Sequence, residues 1–290
     1  MPSPPSPSTA SRTHPLTSHD QLSLFAQTWT PTPPSHRHVV IVHGVGEHSD
    51  RYSHTVAALT AARYHVHSWD QRGHGRSGGL PGHVPAWRDY RRDLQTLLAT
   101  LPSNEPVFLL GHSMGSLVVL DTLIYGEAHP TGVIISGVPV QPAGVAKPHL
   151  VLISRLLSRL WPTFPFRLPL HPEDLTTEAQ SHSELRRDPM ARHRVTVRWG
   201  SEALQAVSRL RLQAQKITSP LLVLHGGQDP VNLPDGGRWL YENVRSTDKT
   251  LRIYPDSRHE PHNDIERDQV LADLIAWLDQ HAEISVPSLT

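Results

Sequence analysis

Residues Pro106-Val107-Phe108-Leu109-Leu110-Gly111-His112-Ser113-Met114-Gly115, followed by Leu117-Val118-Val119-Leu120, decide the fold. An apolar strand runs into G-x-S-x-G and out into a second apolar run. That order predicts strand, sharp turn, then helix, with the Ser113 hydroxyl held out at the end of a strand. A serine hydroxyl is a weak nucleophile. Hydrolytic chemistry therefore needs such exposure, an adjacent base and backbone N–H groups facing the developing oxyanion. Gly111 and Gly115 permit the tight turn and the close helix–strand packing that a Cβ would block. Alone, the motif arises by chance in roughly one chain in ten of this length, so its setting carries the argument.

Outward from the motif, strands and helices alternate. Leu22 to Trp29 alternates as a strand and is closed by Pro31, Pro33 and Pro34. Val39-Val40-Ile41-Val42 is the continuous apolar run of a strand buried on both faces. Residues 52–63 read as helix, 65–69 as strand, 87–101 as helix, 116–125 as helix and 132–136 as strand. The rhythm stops near residue 139. It resumes with a strand at 220–225, a helix near 237–244, a strand at 250–254 and a helix over 267–281. This predicts an α/β fold, a mostly parallel central sheet with helices on both faces. Residues 140–215, with several prolines and two Arg-rich helical stretches, read as an inserted cap over the catalytic edge. The core is then 21–139 with 216–290. Residues 1–20, rich in Pro, Ser and Thr, read as a disordered leader without the apolar stretch of a secretory signal.

Composition removes several function classes. Among 290 residues, Lys+Arg and Asp+Glu are both 27, a formal net charge of zero, which speaks against a nucleic-acid partner. No run of apolar residues is long enough to span a membrane. The absence of cysteine excludes a disulfide framework, a thiol nucleophile and Cys-ligated zinc. The 21 histidines are scattered. Their closest groups, His36/His38, His65/His67 and His259/His262, lack a ligand spacing, so neither metal nor cofactor is expected.

Two further residues complete a hydrolytic set. Asp229 follows the strand 220–225, and His259 follows the strand 250–254, so both sit at C-terminal strand ends, where open α/β sheets bind ligands. Asp229 would orient the imidazole, and His259 would take the Ser113 proton and later deliver it to the leaving group. Asp256 and Asp264 are rival acids, and His262 is a rival base. Asp70 also ends a strand but precedes the serine, and reads as a residue that shapes the loop 70–77. The oxyanion donors are expected to be the N–H of Met114, at the helix start, and of Val45 in His43-Gly44-Val45-Gly46.

These segments together resemble the monoacylglycerol lipase and lysophospholipase-like branch of the α/β-hydrolases, the serine aminopeptidase S33 or Hydrolase 4 group. The matching runs are His43-Gly44-Val45-Gly46-Glu47-His48-Ser49 with Arg51-Tyr52, and Asp70-Gln71-Arg72-Gly73-His74-Gly75-Arg76-Ser77. Gly82-His83-Val84, Asp89-Tyr90, Asp93-Leu94 and the Gly111–Gly115 turn follow. Asp229-x-Val231-x-x-Pro234 and Tyr254-Pro255-x-x-x-His259-Glu260 close the series, so the resemblance covers about residues 20–280. It implies an α/β-hydrolase fold with Ser113 as nucleophile, Asp229 as acid and His259 as base. Val45 and Met114 would form the oxyanion hole. The implied reaction is hydrolysis of monoacylglycerols to fatty acid and glycerol through a Ser113 acyl-enzyme, with no cofactor and no metal.

A broader carboxylesterase or a lysophospholipase is the near alternative, and a non-catalytic lipid-binding relative is the distant one. Haloalkane dehalogenases place Asp at the turn, and nothing here marks the free-amine pocket of a peptidase. Ser116 stands where these relatives commonly have glycine, which would narrow the space beneath the acyl pocket. Asp188-Pro189-Met190 with His193 resembles their D-P-L-V-H segment. In the cap, Ser154, Arg155, Ser158 and Arg159 fall on one helical face of 149–161, opposite Leu150, Val151, Ile153, Leu156, Leu157, Leu160 and Trp161. The first reading of this segment is that its apolar side packs on the core or lines an acyl gorge; the second, with Phe164 and Phe166, is transient contact with a membrane or micelle. A cytoplasmic protein is expected, peripheral at the membrane only on that second reading, and nothing in the sequence specifies an oligomer.

Overall fold

Val39, Val40, Ile41 and Val42 are all fully buried, yet they serve two different cores. Val40 and Val42 join one apolar cluster, with Leu109, Val133, Ile135, Leu221 and Val223. Val39 and Ile41 join the other, with Phe108, Leu110, Ile134, Leu222 and Leu224. Side chains alternate faces along a strand, so a continuous apolar run is what a sheet covered on both sides requires. Each such side chain stabilises by about 1.5–3 kcal/mol. The exposed ion pairs, worth about 0–1 kcal/mol each, cannot be what holds this centre together.

The computed structural model describes residues 10–140 and 155–284. The strands of its central sheet are β1 (Ala10–Thr17), β2 (Ser23–Thr30), β3 (His38–Val42), β4 (His65–Trp69), β5 (Val107–His112), β6 (Gly132–Ser136), β9 (Leu221–Gly226) and β10 (Lys249–Tyr254). The eight lie in the order β1-β2-β4-β3-β5-β6-β9-β10. From β4 to β10 all pairings are parallel, whereas β1 and β2 run antiparallel at one edge. Helices α1 (Ser53–Ala61), α2 (Trp87–Leu98) and α3 (Met114–Ile124) alternate with the first strands. The expected α/β architecture is therefore present, with strand limits within two residues of the reading at β5, β6, β9 and β10.

The expected disordered leader 1–20 is corrected from residue 10 onward. Ala10–Thr17 pair with β2 from Thr30 back to Ser23, Leu16 is buried, and Ser18 and Asp20 hold the Arg72 guanidinium at 2.9 Å each. An edge strand exposes one side to water and tolerates Pro15, so its composition imitates disorder. Residues 1–9 lie outside the described residues.

Between β6 and β9 the chain leaves the sheet. This insert contains β7 (Pro165–Arg167) antiparallel to β8 (Arg194–Thr196), the short helices α4 (Pro172–Leu175) and α5 (Ala179–Arg187), and the long α6 (Val197–Gln213). The Thr196 hydroxyl accepts from Trp199 N–H and caps α6. Helix α6 packs Ala206 and Leu210 into the α3 side of the sheet. Of the amphipathic stretch 149–161, residues 149–154 lie outside the described residues, while 155–160 are helical. Helices α7 (Asp235–Asn243) and α8 (Arg267–Ile284) complete the fold. Among the described residues no helix is long and apolar enough to cross a membrane.

Candidate active site

Ser113 sits between β5 and α3 with φ 51° and ψ −119°. A non-glycine residue in that region is held there at a cost and only where its surroundings over-determine it. Here the surroundings are glycines: a Cβ on Gly115 would lie 1.9 Å from the Val42 carbonyl oxygen, and one on Gly111 would lie 2.7 Å from the Gly115 carbonyl oxygen. Helix α3 can therefore press against β3 only with glycine at 115. The Ser116 hydroxyl donates to Ser113 O at 2.6 Å and adds a brace to the turn.

His259 reaches Ser113 from the loop after β10, with Nε2 3.0 Å from Oγ. Its Nδ1 lies 2.8 Å from Asp229 Oδ2. A carboxylate can only accept, so Nδ1 carries the proton and Nε2 is free to accept from the serine hydroxyl. Asp229 Oδ1 accepts from Val231 N–H at 2.8 Å and Asn232 N–H at 2.9 Å. His225, from the end of β9, adds Nε2 at 3.2 Å from Oδ2. Burial alone would raise the Asp229 pKa, but the two imidazoles outweigh it and hold the carboxyl below its ordinary range. Burial alone would lower His259; the charge and hydrogen bond of Asp229, with Glu260 and Glu47 behind them, raise it instead.

The rivals are engaged elsewhere. His262 stacks on Tyr52 at 5.1 Å and meets the His112 ring at 4.9 Å, and burial pushes it down to about 4. Asp264 accepts from Arg258 N–H and Thr177 N–H. Asp70 accepts from Ser49 N–H and Oγ and from Arg76 N–H and Nε. Burial opposes its ionisation, and those donors still bring it down to about 2, so it shapes its loop as expected.

Val45 lies in the loop after β3. A Cβ on Gly44 would come within 3.2 Å of Ser113 Cβ, so this loop runs directly beside the serine. It is braced by His43: Gln71 N–H donates to its Nε2 at 2.8 Å, and its Nδ1–H donates to Gly44 O at 2.7 Å. Burial, then the neighbouring His74, push His43 down to about 3, so it stays neutral and keeps both bonds. Met114 opens α3, where unpaired N–H groups and the helix dipole favour negative charge.

A cavity of about 10 Å³, room for about one water molecule, lies over Ser113. Val45, Glu47, Arg51, Ser113 and His259 line it from the core, and Leu170, Leu175, Leu185 and His193 from the insert. Sequence reasoning gave no role to Glu260, His225 or the buried His112. Their partners are distant in the chain, and only the placement of Glu260 directly after His259 hinted at one. Glu47, His112 and Glu260 bring one ligand atom each within 4.8 Å of one another. Arg51, 2.8 Å from Glu260, already supplies a cation to that cluster. Among the grouped histidines, His38 bonds His67 at 3.0 Å and Glu105 at 2.6 Å, at the strand ends opposite the serine.

An open sheet of this order, with a strained serine at a strand–helix turn and histidine and aspartate on later loops, defines an α/β-hydrolase. The chain belongs to the Hydrolase_4 family (serine aminopeptidase, S33), which matches residues 33–266. It is 32% identical over 267 residues to the monoacylglycerol lipase of Mycolicibacterium smegmatis, covering 90% of this chain and 94% of that one. The structure superposes on that of Paleococcus ferrophilus monoacylglycerol lipase with a TM-score of 0.82 and 27% identity, over 89% of this chain and 99% of the other. It is also 29% identical to an uncharacterized abhydrolase domain-containing protein of Dictyostelium discoideum, matching 92% of this chain but only 29% of that longer protein. The chain is thus an ester hydrolase of the lipase and esterase type.

Proposed function

We propose that the protein hydrolyses monoacylglycerols to fatty acid and glycerol through an acyl-enzyme on Ser113. The observation that carries the reading is the 3.0 Å contact of His259 Nε2 with Ser113 Oγ beneath an insert whose cavity-facing residues include Leu170, Leu175 and Leu185. Ser113 Oγ attacks the ester carbonyl while His259 takes its proton, and Asp229 stabilises the imidazolium. The N–H groups of Val45 and Met114 receive the oxyanion. On collapse, the imidazolium protonates the departing glycerol oxygen. Water, deprotonated by His259, then releases the fatty acid and regenerates Ser113. The likeness to relatives named monoacylglycerol lipase supports this choice among esters.

The insert acts as a cap over the site. Leu170, Leu175, Leu185 and His193 of the insert stand over Ser113, so substrate enters past the insert. Leu156, Leu160, Trp161, Phe164 and Phe166 are exposed on it, beside Arg155 and Arg159. That apolar face suits transient contact with a micelle or membrane that presents the substrate.

The test is turnover on 1-monoacylglycerols from C8 to C18 beside p-nitrophenyl esters, a lysophospholipid and di- and triacylglycerols, with Ser113→Ala as control. Preference for monoacylglycerols, abolished in the variant, supports the reading. Activity confined to short p-nitrophenyl esters overturns the substrate, and undiminished activity of Ser113→Ala overturns the nucleophile. Fluorophosphonate labelling of Ser113 separates an enzyme from a lipid-binding relative without turnover.

A further inference from the structure

Behind the imidazole lies a carboxylate to which the hydrolysis above gives no task. Glu260 follows His259 directly and is 1% exposed. Both of its oxygens accept from Arg51 Nη2, at 2.9 and 2.8 Å, and Oε2 also accepts from Asn263 Nδ2 at 2.9 Å. Its backbone N–H donates to Leu175 O of the insert at 2.7 Å. One residue thus joins three parts: the loop that carries His259, the loop after β3 that carries Val45, and the insert. A buried ion pair adds little stability over apolar side chains of similar shape, whereas its geometry dictates which groups lie where.

We propose that Glu260 is a positioning residue for the Ser113–His259 chemistry: clamped by Arg51, it fixes the base loop against the oxyanion loop, and its backbone N–H ties that arrangement to a seated insert. The proposal rests on the roles assigned above to Ser113, His259 and Val45. It accounts for two buried charges placed beside the reacting groups and for the position of Arg51 in the cavity wall.

The charge around His259 makes the test readable. Asp229 faces it from the loop after β9, and Glu47 and Arg51 from the loop after β3. The His112 ring stands 4.8 Å away at the end of β5, with His262 beyond it. Burial, then repulsion from Glu260, push Glu47 up to about 7, so near neutral pH Glu260 carries the charge that pairs with Arg51. Removing that charge frees Glu47 to ionise in its place. Glu260→Gln therefore leaves Arg51 a counter-ion, keeps the shape of the side chain, and moves the negative charge away from the base loop.

The experiment measures kcat, KM and melting temperature against pH for the intact chain, Glu260→Gln and Arg51→Lys on a dissolved short-chain ester, with Ser113→Ala alongside. For Glu260→Gln, kcat is expected to fall roughly tenfold to a hundredfold with KM little changed, as misplaced reacting groups require. The acid limb of its kcat profile should move down, by up to about half a unit, because the charge then carried by Glu47 supports the imidazolium less than that of Glu260 does. Arg51→Lys keeps the charge but not the planar reach by which one nitrogen, Nη2, serves both Glu260 oxygens, so kcat falls while the limb stays. A lower melting temperature with kcat and the limb unchanged would make Glu260 a plain structural partner and overturn the proposal. Should Glu260→Gln fail to fold, Arg51→Lys decides alone: loss of kcat at constant KM supports it, and unchanged kcat overturns it. An active Ser113→Ala would instead sink the reading of the site itself.

Discussion

The floor and the roof of the cavity are held by different physics. The floor is made of loops at the C-terminal ends of β3, β4, β5, β9 and β10, and its polar groups are buried and multiply bonded. Asp70 takes four hydrogen bonds, Asp229 is fixed by two backbone donors and two imidazoles, and His43 uses both ring nitrogens. The roof is bonded to the floor at many points along its inner side, and α6 packs Ala206 and Leu210 into the α3 side of the sheet. Asp188 meets His48 at 2.6 Å, Arg192 N–H donates to Gly46 O, and Thr177 N–H donates to Asp264. Its outer side exposes Leu160 at 75% and Trp161 at 58%. Chemistry needs atoms fixed to tenths of an ångström; on the proposed reading of the insert as a cap, substrate admission falls to the roof.

Breaking the floor should give the largest effects. In Asp229→Asn the amide cannot hold the Nδ1–H tautomer, so kcat is expected to fall roughly 10³- to 10⁴-fold while circular dichroism and melting temperature change little. A loss under tenfold would give the orienting role to His225 or another group. In the intact enzyme only neutral His259 acts as base. With its pKa raised, the acid limb of kcat should lie above the ordinary histidine value, and activity should be lost as pH falls through it.

Asp70→Asn tests the floor as structure. The Asp70 pKa falls from 3.8 to about 2 on folding. Its stabilisation is therefore present in full above pH 3.8 and is lost as pH drops through 2. Removing this buried charge should cost about 3 kcal/mol at neutral pH, and the gap between variant and parent should shrink below pH 3.8. Urea unfolding at several pH values measures it; a gap that stays constant down to pH 2 would refute the linkage.

How much of the fold and site is legible in the sequence follows from where periodicity exists. The strands β3, β5, β6 and β9 are buried on both faces, and a short unbroken apolar run between turn residues marks such a strand. Gly111 and Gly115 flank Ser113 because steric contact with β3 and α3 permits nothing larger, so the turn is readable from five residues. Strand β1 is not, because one side faces water and its Pro15 and polar residues carry no apolar alternation. The strands β7 and β8 span three residues each, too short for any period to register. The grip of Arg51 on Glu260 joins positions 209 residues apart, and no local pattern encodes it. Motifs report strand ends well; the contacts that orient them across loops appear only once the sheet has brought those ends together.

Loosening the tether between roof and floor should do less. Asp188→Ala removes the bond to His48 and two turn bonds to Met190 and Ala191 N–H. The hydrogen bond between His48 and Asp188 itself contributes about 1 kcal/mol. The expected outcome is a melting temperature lower by roughly 2–4 °C, with kcat/KM reduced on long-chain and short-chain esters alike, because the same segment rests on the loop of Val45. An effect on long-chain esters only would mean that the tether guides the acyl chain and leaves the oxyanion loop undisturbed.

The smallest effect should come from the outer face of the roof, and it should depend on how the substrate is presented. Trp161 and Phe164 pack edge to face at 5.2 Å and remain 58% and 38% exposed, so neither supports the core. Burying such a ring fully in an apolar phase is worth about 1.5–3 kcal/mol. A ring already half covered, and inserted only to headgroup depth, recovers about 1 kcal/mol of that. Trp161→Ser should therefore weaken turnover of micellar monoacylglycerol by roughly fivefold, leave a dissolved ester unchanged, and leave the melting temperature within about 1 °C. If both substrates slow equally, the ring is steadying the insert over Ser113 and the outer face is no docking surface. If only the micellar substrate slows, the division between a rigid floor and a surface-seeking roof extends to how the lipid arrives.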